Sequence, residues 1–131
     1  MAVMTANLVR TRNTALDVRR VQIVCSHRGK SVQFEAMIDS GNTLRDYLTQ
    51  YPVIVMSKAA GMSLFGMEEE RLRPIFADTA GGRQMMSIFV PSQMQLVAGG
   101  KNRKIEAAVA FCEALSKEAP ILAPASLLHD E

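Results

Sequence analysis

One junction in the sequence decides the fold, and it reads Val32-Gln33-Phe34-Glu35-Ala36-Met37-Ile38-Asp39-Ser40-Gly41-Asn42. Every second residue from Val32 to Ile38 is apolar, which is the pattern of a half-buried β-strand. Residues 21–25 alternate in the same way, and the polar residues 27–30 between the two stretches include a glycine, which can adopt a positive φ. The pattern predicts a β-hairpin over residues 18–38.

The rest of the chain is also dominated by short strand patterns. Val53-Ile54-Val55 is apolar on both faces and predicts a buried central strand. Strand patterns return at residues 84–90, 93–97 and 104–111, with a turn at Gly99-Gly100-Lys101-Asn102. Residues 57–72 predict one or two short helices, with Ser57 as the cap and with Gly61 and Gly66 as interruptions. We therefore expect a mainly β domain of about six to eight strands in a closed or nearly closed barrel.

Length and composition exclude several classes of protein. The 131 residues suffice for one domain, and 48% apolar residues are enough to build a core. A net charge of +2 and an aromatic content of 5% argue against a dedicated nucleic-acid-binding protein. Cys25 and Cys112 form no CxxC pair, so we expect no disulfide, no metal site and no cofactor. No apolar run approaches the roughly 20 residues of a membrane-spanning helix, and the sequence predicts a soluble chain.

Candidate chemistry begins where the strand before Asp39 ends. A turn at Asp39-Ser40-Gly41-Asn42 presents the Asp39 carboxylate while the N–H groups of Ser40 and Gly41 turn back toward it as donors. Glycine there permits the close approach of a second carboxylate, as in an aspartic peptidase. The same four residues are also ordinary turn chemistry, and the residues alone leave both interpretations open. We assign Asp46 and Asp78 to turn hydrogen bonds, and one of Arg71 and Arg73 could pair with an acid near the cleft.

A wider stretch resembles a known family. Residues 38–55, IDSGNTLRDYLTQYPVIV, resemble the peptidase domain of the sporulation sigma-E factor processing peptidase, in which a catalytic Asp-Ser/Thr-Gly-Asn precedes an Asp-Pro-Leu-Thr turn and a Pro-Val strand. The similarity extends over residues 18–128. Three residues depart from the family pattern: Tyr47 replaces a proline, Gln50 replaces a glycine, and Ala110 stands where a glycine packs beneath the active-site loop.

The resemblance implies a retropepsin-like fold with one catalytic aspartate, Asp39, in each chain of a homodimer. It implies that Ser40 reaches the partner's backbone, that Gly41 lets the two loops meet, and that Asn42 supports the loop. Gly81 and Gly82 are the candidate flap over the substrate, although an inert hairpin turn fits them equally well. The peptidase domain is expected over residues 18–131, after a flexible N-terminal segment at residues 1–17.

The resemblance also implies a biological role, which composition alone does not. We expect an aspartic endopeptidase that activates a pro-sigma factor, pro-sigma-E, on the cytoplasmic side of the membrane at the sporulation septum. Family members contact the membrane through an additional multi-span domain that has no counterpart in these 131 residues. Two alternatives stay open: a non-catalytic retropepsin-like domain for protein interaction or dimerisation, and a general retropepsin-like peptidase with another substrate.

Overall fold

The computed structural model describes residues 3–5, 19–66, 72–79, 82–113, 115 and 121–128. Within these ranges the chain forms ten β-strands, one α-helix and one short 3-10 helix at Ala125–Leu128. The helix α1 spans Lys58–Phe65. In chain order the strands are β1 (Val3–Thr5), β2 (Arg20–His27), β3 (Lys30–Asp39), β4 (Val53–Ser57), β5 (Arg73–Thr79), β6 (Gly82–Phe89), β7 (Gln93–Ala98), β8 (Lys101–Lys104), β9 (Ala108–Cys112) and β10 (Ile121–Pro124).

All ten strands belong to one sheet, in the order β1-β5-β6-β9-β4-β10-β3-β2-β7-β8. The predicted mainly β class is confirmed. The predicted closure of the barrel is wrong for the described strands, since β1 and β8 are the two edges and no pairing joins them. The sheet is curled, since the rings of His27 on β2 and Phe89 on β6 lie 4.8 Å apart although four strands separate β2 from β6 in the strand order.

Two hydrophobic cores lie on opposite faces of the central strands. We call the cluster that contains Ile54 and Met56 the first core, and the cluster that contains Val53 and Val55 the second core. All four side chains are fully buried because β4 lies between β9 and β10. The prediction of a buried central strand at residues 53–55 is confirmed.

The hairpin predicted over residues 18–38 is also confirmed. Strands β2 and β3 pair from Arg20↔Met37 to His27↔Lys30. The loop between them consists of Arg28 and Gly29, with φ values of 54° and 80°. Two consecutive left-handed residues match the right-handed twist of the flanking strands, which explains the tight turn.

The strand predicted over residues 104–111 is wrong in its bounds. Lys101–Lys104 forms β8, residues 105–107 lie between strands, and β9 begins at Ala108. The predicted turn is correspondingly shorter, since Gly99 and Gly100 alone connect β7 to β8. The predicted face is nevertheless confirmed, because four alternate side chains all enter the first core: Ile105, Ala107, Val109 and Phe111.

Helix α1 begins and ends at predicted positions. The Ser57 side chain accepts a hydrogen bond from the Ala60 N–H, and Gly66 ends the helix in the left-handed conformation. Gly61 was predicted to interrupt the helix, but α1 continues through it. Gly61 is buried, and a Cβ at this position would lie 2.5 Å from the Phe111 ring, so glycine permits close packing of α1 on β9.

Parts of two predictions fall outside the described residues. Val3–Thr5 of the predicted N-terminal segment form β1, which pairs in parallel with β5. The rest of residues 1–17 lies outside the description, as do residues 67–71 of the predicted helical region. Among the described residues, no helix has the length and hydrophobicity needed to cross a membrane.

Candidate active site

Asp39 is the last residue of β3, and the parallel strand β10 places Pro124 beside it. Side chains alternate along a strand, and Ile38 packs against the first core. Asp39 therefore points to the other face, as does Met37, which packs against the second core. Only 6% of Asp39 is exposed, so this carboxyl group lies at a strand end and almost entirely within the fold.

The turn after Asp39 holds its carboxylate by a local hydrogen bond. The Asn42 N–H donates to the Asp39 carbonyl oxygen over 3.0 Å, which closes the turn. The Gly41 N–H donates to the Asp39 Oδ1 atom, also over 3.0 Å. This bond fixes the direction of the carboxylate. Ser40, at the outside of the turn, is exposed.

Asn42 ties this turn to the central strand. Its side chain is 2% exposed. The Nδ2 atom donates to the Val53 carbonyl oxygen over 3.0 Å, while the Oδ1 atom accepts from the Leu44 N–H over 3.2 Å. A buried amide satisfied on both sides is costly to replace, so the position of the Asp39 turn is fixed relative to β4.

Asp46 is a second buried carboxylate on the same connection between β3 and β4. Its side chain has no exposed surface and forms a two-pronged ion pair with Arg73, with Nη–Oδ distances of 3.3 and 2.8 Å. Oδ1 also accepts from the Leu48 N–H, and Oδ2 accepts from the Thr49 hydroxyl. Burial alone would raise the pKa of Asp46, but these hydrogen bonds and the charge of Arg73 outweigh it and lower the pKa.

The structure thus supports the assignment of Asp46 to turn hydrogen bonds. Asp46 also pairs with Arg73, which lies on β5. Arg73 is the first residue of β5 and was one of the two arginines expected near an acid. Arg71 lies outside the described residues. The assignment to turn hydrogen bonds is wrong for Asp78, which lies within β5 and forms an exposed ion pair with Arg83 on the neighbouring strand, at 3.3 Å. Sequence spacing alone could not identify which arginine meets Asp46, because the contact is non-local.

Gln50 stands where the family pattern has a glycine, and its backbone conformation is one that glycine favours. Its φ of 65° is left-handed, a region in which glycine is favoured. The conformation is held by the Gln50 N–H, which donates to the Asp46 carbonyl oxygen, and by Arg45, which donates to the Gln50 carbonyl oxygen over 2.8 Å. The backbone therefore keeps the geometry of a glycine position although the residue is glutamine.

The candidate flap corresponds to the hairpin of β5 and β6. These strands pair from Arg73↔Ile88 to Thr79↔Gly82, and Gly82 has a φ of 108°. Gly81 lies outside the described residues. The structure thus contains a hairpin whose last pair includes Gly82, and its function as a flap stays a prediction.

The resemblance implied that Ala110 lies beneath the Asp39 turn, but Ala110 lies on a strand that does not pair with β3. It belongs to β9, where its register partners are Val55 and Ile88. The strand beside Asp39 is β10. Sequence reasoning missed β10 because its four residues, Ile121–Pro124, are all buried and show no alternation.

Other reactive side chains in the described ranges do not form a competing site. Burial raises the pKa of the Cys25 thiol to about 12, so the thiolate needed for nucleophilic attack is suppressed. Desolvation and the charge of Arg28 lower the pKa of His27, whose ring packs at a tilt of 49° against Phe89, with the ring centroids 4.8 Å apart. No group of three or more His, Cys, Asp or Glu residues in the described part of the chain could hold a metal ion.

A cavity of about 700 Å³ opens beside the loop that carries Asp46. Arg45, Tyr51 and Leu127 are among its lining residues, and Asp39 is not. The cavity therefore does not give a substrate direct access to the Asp39 carboxylate within one chain.

Comparison with known protein families gives a match. The family model for peptidase family U4, described as sporulation factor SpoIIGA, matches residues 3–119, which include both buried carboxylates and the β5–β6 hairpin. No curated protein and no solved structure matches the chain.

Proposed function

This chain belongs to the SpoIIGA family of sporulation peptidases, and we propose that it is an aspartic endopeptidase with Asp39 as its catalytic residue. The observation that carries the proposal is the buried Asp39 carboxylate, oriented by the Gly41 N–H at the end of β3. Asp46 is the other buried carboxylate of the described chain, and four donors from Arg73, Leu48 and Thr49 already occupy its oxygens. Asp46 is therefore a poor candidate to hold a water molecule.

The chemistry needs two carboxyl groups. One ionised carboxylate takes a proton from a water molecule as the oxygen attacks the scissile carbonyl carbon, while a second, protonated carboxyl group polarises the carbonyl oxygen. The tetrahedral intermediate collapses when the peptide nitrogen receives a proton and the C–N bond breaks. Two carboxyl groups within about 3 Å cannot both ionise, so the pair shares one proton and titrates as a unit.

A homodimer supplies the second carboxyl group. In the proposed dimer, Asp39 and the partner subunit's Asp39 meet at a two-fold axis, with an isologous contact between the two turns. Gly41 is not among the glycines with a left-handed φ, so its own backbone does not demand glycine. Close approach of the second turn would instead explain the missing side chain. Exposed Ser40 is positioned at the outside of the turn, where it could bond to the partner's backbone.

The proposed substrate is the pro-segment of a sporulation sigma factor, pro-sigma-E. Membership of a sporulation peptidase family supports this choice, as does the resemblance of residues 38–55 to the sigma-E factor processing peptidase. A peptide would bind in an extended form beside the β5–β6 hairpin, where main-chain hydrogen bonds give affinity. In the longer proteins of the family, a membrane domain would keep this reaction at the cytoplasmic face of the septum.

The test is co-expression of the chain with the pro-sigma factor in a bacterium that does not sporulate, followed by electrophoresis of the products. The wild-type chain should cleave the pro-segment, while Asp39→Asn and Asp39→Ala should reduce cleavage by about 10³-fold or more, since each removes the acid–base group. Glu113→Gln removes an exposed acid outside the β5–β6 hairpin and is the matched control.

Circular dichroism of the purified variants checks that the fold is intact. Cleavage by Asp39→Asn at the wild-type rate would contradict the catalytic assignment. A wild-type chain that forms dimers without cleaving would favour the alternative, a non-catalytic interaction or dimerisation domain.

A further inference from the structure

We propose that Arg73 and Asp46 act as positioning residues that fix the base of the β5–β6 hairpin to the connection that follows Asp39. We call their ion pair the anchor pair. Arg73 is the first residue of β5 and pairs across the hairpin with Ile88. Asp46 belongs to the connection between β3 and β4. The anchor pair is thus a polar contact between two elements that the sheet order separates by several strands.

A continuous path joins the anchor pair to Asp39. The Asn42 N–H donates to the Asp39 carbonyl oxygen, and the Leu44 N–H donates to the Asn42 side chain. The Leu44 carbonyl oxygen accepts from the Val53 N–H, which fixes the chain just before Asp46. Leu44 also packs in the second core with Ile88, the pairing partner of Arg73. A shift of the hairpin base would therefore disturb the Asp39 turn through both contacts.

The geometry of the anchor pair suits a positioning role. A guanidinium group that meets a carboxylate through two nitrogen atoms fixes orientation as well as distance. The Asp46 side chain has no exposed surface, and its carboxylate also accepts hydrogen bonds from the Leu48 N–H and the Thr49 hydroxyl. An apolar contact would allow the hairpin base to slide, because apolar attraction has no direction. The ion pair instead defines one position for Arg73 and for the strand that begins there.

The functional part of this inference rests on the proposed function, in which the hairpin holds an extended peptide next to Asp39. A displacement of about 1 Å between binding elements and reacting groups can cost up to about 100-fold in rate. We therefore expect the anchor pair to affect kcat/KM without touching the substrate.

The first experiment does not depend on peptidase activity. Hydrogen exchange is measured for wild type, Arg73→Gln and the core variant Ile23→Ala. The Ile23→Ala substitution destabilises the protein through a buried residue of β2, outside the β5–β6 hairpin. The proposal predicts that Arg73→Gln raises exchange of the β5–β6 amides by about tenfold or more relative to the β2–β3 amides. Ile23→Ala should produce no such preference. An equal rise in both hairpins with Arg73→Gln would overturn the proposal.

The second experiment measures kcat/KM on the pro-sigma factor well below the unfolding temperature of each variant. Arg73→Gln and Asp46→Asn should each lose about 10- to 100-fold, mainly through KM, and the double variant should lose little more than either one. Arg73→Lys keeps the charge without the two-pronged contact and should fall in between. Arg20→Gln, which breaks an exposed ion pair with Glu35 outside the β5–β6 hairpin, is the control and should stay within about twofold of wild type.

Unchanged kcat/KM in folded Arg73→Gln would show that the anchor pair is only structural and would overturn the inference. If wild type and Asp39→Asn show the same activity, the proposed function fails. The exchange experiment then decides separately whether the anchor pair fixes the hairpin.

Discussion

Asp39 is the last residue of β3, Asp46 lies on the connection from β3 to β4, and the fold holds the two carboxylates differently. Asp46 has no exposed surface, and both of its oxygens are occupied by donors that include the guanidinium of Arg73. Asp39 lies at a strand end beside the exposed Ser40, with its Oδ1 oriented by the Gly41 N–H. Both carboxylates are buried, so burial alone does not assign their roles. What marks Asp46 as structural is the guanidinium of Arg73 and the other donors on its two oxygens.

The largest expected difference between the two residues is in the free energy of unfolding. Asp46→Asn should lower it by about 2–3 kcal/mol, because Arg73 loses its counter-charge in a desolvated site. The loss of stability would be larger if both side chains were completely buried. Because 33% of the Arg73 side chain is exposed, water screens part of its uncompensated charge. Asp39→Asn should change stability by about 1 kcal/mol or less while it abolishes cleavage. Urea denaturation of both variants measures the difference.

Equal losses of stability from the two substitutions would contradict the division of roles. Asp78→Asn, on an exposed ion pair, is the control and should lie within about 0.5 kcal/mol of wild type.

The pH dependence of stability sharpens the same comparison. The pKa of Asp46 is lowered in the folded protein, so its contribution is fully present above the unfolded pKa of about 3.9 and is lost as pH falls toward the folded pKa. The stability difference between wild type and Asp46→Asn should therefore be constant from about pH 7 to pH 5 and should shrink below about pH 4. A difference that grows as the solution becomes more acidic would contradict the direction of the shift.

The smallest expected effect concerns the loop that contains Asp46. Gln50→Gly should change the free energy of unfolding by less than about 1 kcal/mol, with stabilisation as the expected sign. Relief of the left-handed φ at Gln50 favours the variant, and the larger entropy of glycine in the unfolded chain opposes it. Thermal unfolding of the two proteins measures the balance. A loss above about 1 kcal/mol would show that the Gln50 side chain has a role that its backbone does not explain.

Local patterns predicted the elements next to Asp39 well. Alternation over residues 32–38 and the glycine in the turn specify the hairpin β2–β3, and the β-branched residues 53–55 specify a buried strand. These features depend on neighbours in sequence, which is why a single sequence reveals them. The position of Asp39 at the end of β3 followed directly from the same pattern.

Long-range contacts could not be predicted in the same way. The pairing of β10 with β3 joins residues far apart in sequence, and β10 itself is too short and too uniformly apolar to show a period. The anchor pair joins Asp46 to Arg73, and two arginines were available to the prediction. Gly61 resembled a helix breaker in the sequence, whereas its close contact with Phe111 emerges only from packing.

The most direct test of the central claim, that two copies of Asp39 form one catalytic pair, is a mixing experiment. Wild type and Asp39→Asn are combined in varied ratios at constant total concentration, allowed to exchange subunits, and assayed for cleavage of the pro-sigma factor. A shared pair predicts activity proportional to the square of the wild-type fraction, so an equal mixture keeps about a quarter of the wild-type activity. Activity that falls in direct proportion, with about half remaining, would show that each chain acts alone and would contradict the account.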